Sequence, residues 1–196
     1  MTKINRLISA LLVGSCCAVA LTAGAPAQNQ SRTGQSRLTR EIRRELVTLP
    51  FYDVFDWLQF EIKPDSTVVL SGQVTRPTTK SGAEARIKDI EGIESVVNNI
   101  EVLPLSPNDD RIRRRMYVTL FGSNSPLFRY GMGAVPSIHI IVKNGRVTLK
   151  GVVANQMDSQ LAYTRARGVP GVFDVQNELQ VEGGSGKGRS PDGGQG

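Results

Sequence analysis

Residues 68–74 read VVLSGQV and residues 147–153 read VTLKGVV, so one strand-like pattern occurs twice in the chain. A second pair of blocks repeats at the same interval of 79 residues, because GIESVVNNIEV at 92–102 returns as GVFDVQNELQV at 171–181. The glycines, the apolar positions and one asparagine are kept between the copies, whereas the solvent-type residues differ. We therefore predict two similar domains, each one packed unit.

Each copy is predicted to contain a helix, a hairpin, a second helix and a last strand. In the first copy, Leu38, Ile42 and Leu46 lie four residues apart and form one stripe of a helix. Apolar residues then alternate over 58–74 around a turn at 64–66, as expected for a hairpin.

Capping signals predict where several helices begin. Ser81 and Glu84 have capping-box spacing, Asp109 or Asp110 is predicted to cap the first helix of the second copy, and the run at 155–158 is predicted to cap the last helix. If the last strand lies parallel beside the second, the right-handed crossover rule applies. The predicted fold class is α+β, with two repeated small domains, each a three-stranded sheet with two helices on one face in the order α-β-β-α-β.

Changes in composition predict the limits of these domains. Lys3 and Arg6, the apolar run 7–21 and the small residues at 25–27 are typical of a secretory signal peptide. The segment at 28–37 is polar, and 183–196 has no apolar side chain and is rich in glycine. The predicted parts are a signal peptide (1–27), a flexible leader (28–37), a first domain (38–104), a second domain (109–182) and a disordered tail (183–196).

The signal predicts an exported, periplasmic protein. Cys16 and Cys17 both lie inside it, so cleavage after Ala27 would leave no thiol and no disulfide. The alternative is cleavage before Cys16, because residues 13–16 resemble a lipobox and would make the protein a lipoprotein.

The charge of the mature chain is mildly positive. Removal of Lys3 and Arg6 from the 24 basic residues leaves 22 against 18 acidic residues, a net charge of +4. This charge fits weak attraction to anionic surfaces. Nucleic acid is not expected as a partner, because the sequence does not concentrate basic and aromatic residues in one groove.

The residues of both copies resemble a known family, the BON domain, named for bacterial osmotically inducible and nodulation proteins. The similarity is carried by a strand of the form Val-x-Leu-x-Gly-x-Val, a helix of about a dozen residues, and then Gly-Val or Gly-Ile before Val-x-Asn. In the second copy, Asn144-Gly145, Gly151, 168–172 and Asn177 all match. The resemblance implies an envelope protein with tandem domains that bind phospholipid or other envelope surfaces, without established catalysis, and only the resemblance suggests a role in osmotic stress.

The two copies differ in one inserted segment. Ile42 and Gly72 are 30 residues apart, whereas Ile112 and Gly151 are 39 apart, so the second copy has about nine extra residues. They fall in an apolar and aromatic stretch at 120–132, the inserted segment, which follows an arginine-rich helix. This combination is suited to a peripheral membrane contact. The alternative is that the segment covers the sheet or the other domain and the arginines are solvated. The residues assigned to the lipid-binding hypothesis are Arg111, Arg113, Arg114, Arg115, Phe121, Leu127, Phe128, Arg129 and Tyr130.

Catalytic, metal and cofactor sites are not expected from this sequence. His139 is the only histidine, and its alignment with Phe60 favours a packed ring over catalysis. One histidine and no mature cysteine do not favour a metal site, and no nucleotide or cofactor motif is present. The glycines at equivalent strand positions are expected to be structural: Gly72, Gly92, Gly151 and Gly171.

The leading functional hypothesis is therefore a non-catalytic module of the cell envelope that binds anionic phospholipid surfaces. The alternative is an envelope scaffold or adaptor that binds a protein or a cell-wall partner, since repeated small domains and a glycine-rich tail also suit tethering.

Overall fold

A computed structural model describes residues 27–183, with side chains from residue 34 onward. The expected signal peptide therefore lies outside the described residues apart from Ala27, and so does the expected tail apart from Gly183. None of the helices in this range is long and apolar enough to cross a membrane.

The two copies form two α+β domains, which confirms the predicted fold class. The first contains α1 (Ala27–Val47), β1 (Trp57–Ile62), β2 (Thr67–Val74), α2 (Pro77–Lys88) and β3 (Ser95–Val102). The second contains α3 (Pro107–Phe121), the short 3-10 helix η1 (Phe128–Gly131), β4 (Ile138–Lys143), β5 (Arg146–Val153), α4 (Gln156–Arg167) and β6 (Asp174–Val181).

Both sheets have the same topology. The strand orders are β1-β2-β3 and β4-β5-β6, with an antiparallel hairpin followed by a parallel pair. The crossover helices α2 and α4 pack onto the parallel strands, while α1 packs against α2 and α3 against α4. Each domain thus has its own buried core between its helices and its sheet.

The hairpins differ by one residue, which changes one predicted equivalence. Phe60 pairs with Leu70 and Ile140 with Leu149, so the second strands are offset by 79 residues but the first strands by 80. His139 therefore corresponds to Gln59, and its predicted alignment with Phe60 is wrong. The turn of the first hairpin contains the extra residue, and a slip of one residue moves a side chain to the other face of the sheet.

Helix α1 begins earlier than the sequence predicts. The segment 28–37, expected to be a flexible leader, is helical in the structure. Its glutamines and arginines are good helix formers, and Pro26 is the last proline before the helix.

Two predicted caps are also wrong. Helix α2 begins at Pro77, and Ser81 lies inside it, where its hydroxyl donates to the carbonyl of Pro77 at 3.3 Å. Ser106 caps α3 by accepting from the N–H of Asp109. In both helices a proline near the N-terminus pre-sets the backbone for the first turn. The cap predicted within 155–158 is present, since the side chain of Asn155 accepts from the N–H of Asp158 at 2.8 Å.

Candidate functional site

The arginines on α3 divide between its two faces. The buried face of the helix includes Ile112, Met116 and Leu120 and packs on the second core. Arg111, Arg114 and Arg115 are exposed. Arg111 and Arg115 make only polar contacts close to the surface, to Asn108 and to the carbonyl of Pro170, so cationic groups face outward along this helix.

Arg113 does not belong with them, which corrects its assignment to lipid binding. Only 6% of its surface is exposed, and its guanidinium donates to Asp110 at 2.6 Å and to the carbonyl of Val142 at 2.7 Å. The charge is therefore used to join α3 to the end of β4.

The inserted segment is largely internal packing. Phe121, Leu127 and Tyr130 are buried in the core of the second domain, so the structure does not bring these three residues to a membrane surface. Gly131 lies so close to the Phe121 ring that a Cβ added there would be 2.7 Å from its Cγ. These nonpolar groups gain more by filling the space beside β4 than they would by facing water.

A polar network holds η1 in place. The hydroxyl of Tyr130 donates to Asp158 at 2.6 Å and accepts from the N–H of Ala154 at 2.9 Å. Arg129 pairs with the same carboxylate and lies over the Tyr130 ring. The hydrogen bond from Tyr130 and then the one from Arg129 lower the pKa of Asp158. Arg129 is thus exposed, but its charge already has a partner.

Exposed apolar residues that the sequence hypothesis missed lie on the outer side of α3. Val118 is 67% exposed and Tyr117 is 43% exposed. Val118 lies opposite the stripe of Ile112 and Met116, a helical-wheel signal that could have identified it, whereas Tyr117 lies at the edge of that side with its ring 5.5 Å from that of Phe121. We call Arg111, Arg114, Arg115, Tyr117 and Val118 the α3 outer surface.

Phe128, which follows the end of α3 in the chain, is also exposed. It is 42% exposed, and a series of tight turns links it to Val118: Gly122 donates to the Val118 carbonyl, Ser125 to that of Gly122, and Phe128 to that of Ser125. Other exposed apolar side chains in the second domain are Met132, Val135, Val152, Met157 and Phe173.

His139 lies in the interface between the two domains. It is buried, with the Tyr52 and Trp57 rings of the first domain 5.6 and 5.2 Å away. Burial lowers its pKa and raises the pKa of Tyr52 to about 12. An aromatic enclosure of this kind favours the neutral imidazole and is a packing arrangement, as the sequence suggested for the ring.

The first domain also completes the core of the second. Val54 is buried among the residues of the second core, and its carbonyl accepts from the N–H of Ile140 at 2.7 Å. Nearby, the buried carboxylate of Asp56 accepts from the N–H of Thr75 at 2.6 Å, although burial raises its pKa. The segment that precedes β1 therefore covers the outer edge of β4.

An open groove of about 770 Å³ lies between the domains. Lys143 pairs across it with Glu101, and Lys150 pairs with Glu178 on the neighbouring strand. Its other lining residues include Arg146, Phe173 and Gln73. Across residues 27–183 there is no group of three or more histidine, cysteine, aspartate or glutamate side chains that could hold a metal ion.

Comparison with known proteins identifies one matching family. The BON domain model matches residues 35–104 and 131–183, one region in each domain. None of the curated proteins matches the sequence significantly.

Two solved structures are similar to this chain over most of its length. Both are of CdsD, a structural protein of the type III secretion system of Chlamydia trachomatis, and the second is its C-terminal domain. Each is 12% identical to this chain, covering 75% and 74% of it and 94% and 97% of the CdsD chains, with TM-scores of 0.29 and 0.27. Similarity at this level carries no argument about function.

Proposed function

The chain belongs to the BON domain family, and from this premise we propose that it is a non-catalytic module of the cell envelope that binds anionic phospholipid surfaces. BON domains are binding domains associated in general with the envelope and with phospholipid or protein partners. The finer assignment, to a lipid surface outside the cytoplasm, is our proposal, and the predicted export signal supports the location.

The observation that carries the proposal is the composition of the α3 outer surface. Three exposed arginines lie on the same helix as exposed Tyr117 and Val118, and Phe128 follows the helix end. Cations of this kind attract lipid phosphates, and apolar groups beside them enter the headgroup boundary. The contact is thus moved from the inserted segment, which is mostly buried, to the outer side of α3.

Charge reversal at Arg111 and Arg114 tests the electrostatic half of this contact. We expect the double variant R111E/R114E to bind vesicles containing phosphatidylglycerol at least about tenfold more weakly at low salt, since each basic residue near such a surface contributes about 1 kcal/mol. The difference should shrink at high salt because exposed charges are screened. Cosedimentation with anionic and zwitterionic vesicles measures both effects.

The matched control is R40E/R44E, which makes the same change of charge on two exposed arginines of α1. Circular dichroism should show both variants folded. If the two double variants lose the same affinity, only net charge matters and the assignment to α3 is wrong; if wild type does not cosediment at low salt, lipid binding is wrong.

A second candidate function is a scaffold or adaptor that binds a protein or a cell-wall partner. The interdomain groove favours it, because it combines amide and charged groups with the exposed ring of Phe173, and Arg146 has no ion-pair partner among residues 27–183. Pull-down from envelope extracts with wild type and Arg146→Glu separates this function from lipid binding. Recovery of lipid alone by both proteins would count against it.

A further inference from the structure

A second groove, of about 610 Å³, runs between α1 and β1 in the first domain. Helix α1 packs mainly against α2, and the side chains of β1 beneath it are only partly covered. We call this space the α1–β1 groove. Its walls include Thr39, Arg43 and Val47 from α1 and Leu58, Phe60 and Ile62 from β1.

The equivalent space in the second domain is filled by a peptide segment. Val54 and Phe55, from the first domain, lie against α3 and β4, where Val54 is part of the core and the Phe55 ring is 6.4 Å from that of Tyr117. The Val54 carbonyl also accepts from the N–H of Ile140 on the edge of β4. The second domain therefore shows that an extended peptide segment fits between the first helix and the first strand of this fold.

The burial of equivalent residues shows that the first domain lacks such a cover. Ile138, Ile140 and Val142 of β4 are fully buried, whereas their counterparts in β1 are partly exposed. These counterparts are Leu58, Phe60 and Ile62. By the same register, Phe60 corresponds to Ile140, so its N–H faces the free edge of β1.

From this comparison we propose that the α1–β1 groove binds an extended segment of a partner protein, in which an apolar and an aromatic residue stand next to an acidic one. A carbonyl of the segment accepts from the N–H of Phe60, which adds a strand contact to the edge of β1. The apolar pair covers Leu58, Phe60 and Ile62, as Val54 and Phe55 cover β4.

The charge of the groove supports an acidic residue in the segment. Arg43 lines it and makes no hydrogen bond or ion pair within the described part of the chain. The segment that fills the second domain is itself flanked by Asp53 and Asp56. A carboxylate beside the apolar pair would give Arg43 a bidentate partner.

This inference is independent of the proposed lipid contact, because none of the residues of the α3 outer surface lines the α1–β1 groove. Trp57, the only tryptophan of the chain, lines the groove together with His139. Its fluorescence therefore reports on occupation of the groove as well as on the domain interface.

The test uses the full chain and the blocked peptide Tyr-Asp-Val-Phe-Asp, which copies residues 52–56. In NMR titration we expect saturable shifts of the amide signals over 58–62 and 39–47, and slower exchange of the Phe60 N–H. Binding should be weak, because the interface is small. Arg43→Glu should raise the Kd at least about fivefold, a change that reflects loss of an exposed ion pair.

The controls are Arg44→Glu, on the same helix but outside the groove lining, and the peptide Tyr-Asp-Ser-Ser-Asp. Arg44→Glu should bind as wild type, and the serine peptide should not bind. The proposal is overturned if the signals over 58–62 do not move, or if Arg43→Glu and Arg44→Glu weaken binding equally. It is also overturned if stearate occupies the groove and the peptide does not, or if self-association of the chain already protects the Phe60 N–H.

Discussion

At the scale of single residues, Gly72 and Gly151 leave no room for a side chain, whereas Gly92 does. Gly72 and Gly151 both have φ of 120°, and an added Cβ would lie 2.0 Å from a backbone carbonyl oxygen, that of Trp57 in β1 or that of Ser137 just before β4. Gly92 has φ of 94°, but nothing lies within 4 Å of such a Cβ. A side chain at Gly92 would therefore meet only an unfavourable φ, whereas one at Gly72 or Gly151 would also meet a steric clash.

Alanine at these positions should have unequal effects on stability. We expect Gly92→Ala to lower the free energy of unfolding by about 1–2 kcal/mol, from backbone strain alone. Gly72→Ala should lower it by at least about 3 kcal/mol, because the strand pair must also move apart. Urea denaturation measures the difference, and equal losses in the two variants would contradict the close approach of β1 to Gly72.

The paired glycines were predictable because the repeat keeps them at equivalent positions. The difference in burial between Arg113 and Arg114 was not predictable, because both residues belong to the same run of charged residues. Only the packed domain shows that Arg113 reaches Asp110 and the carbonyl of Val142 while Arg114 faces solvent. The same is true of Asp109, whose carboxylate accepts from the N–H groups of Asn144 and Gly145 in the hairpin instead of capping α3.

At the scale of elements, the exposed part of η1 tests the apolar half of the lipid contact. Phe128→Ser should weaken vesicle binding by about fivefold at every salt concentration, because the loss is of apolar burial and not of charge. Since the ring is 42% exposed, thermal stability should stay close to wild type. The control is Leu105→Ser, a change at a nearly fully exposed side chain in the linker between β3 and α3. Two results together would show that the inserted segment serves only packing: Phe128→Ser unfolds the protein, and R111E/R114E binds vesicles as wild type does.

The order of helices and strands followed from apolar periodicity, glycines and the Asn144-Gly145 turn. Helix starts were predicted less well, because a proline at the first turn sets the start of α2 and α3 ahead of the side chains that have capping chemistry. The sequence showed that the inserted segment must pack or bind, but its burial depends on the space beside β4, which only the tertiary structure defines.

At the scale of the whole molecule, we expect the burial of His139 in the domain interface to make stability depend on pH. Its folded pKa lies below the usual 6.5, chiefly because it is buried, although the backbone at Asp56 and the charge of Asp53 oppose the shift. Lys150 is its neighbour in the sheet register. Below pH 6.5 the unfolded chain binds more protons at this site, so stability is present above that pH and is lost as pH falls toward the folded pKa.

We therefore expect the free energy of unfolding of wild type to fall between about pH 7 and pH 5 more steeply than that of His139→Phe. Phenylalanine keeps an aromatic ring against Tyr52 and Trp57 without a proton to bind. Urea titrations at a series of pH values measure the slope. An unchanged slope in His139→Phe would assign the pH dependence to other groups.

The domain interface was the least predictable part of the fold. The sequence suggested that one copy could pack against the other, since the domains are small. It did not show that Val54 would enter the second core, because the segment before β1 and the edge of β4 are far apart in the sequence and meet only in the tertiary structure.

Because Val54 contributes to the second core, the order in which the two domains are synthesised affects folding. A polypeptide emerges with its N-terminal part first, so the segment that the second domain needs is already available when β4 is synthesised. No residue after the linker has a comparable place in the described core of the first domain. A circular permutant that began with α3 would hold an incomplete core and an open strand edge until synthesis was nearly finished, which is the period when aggregation competes with folding.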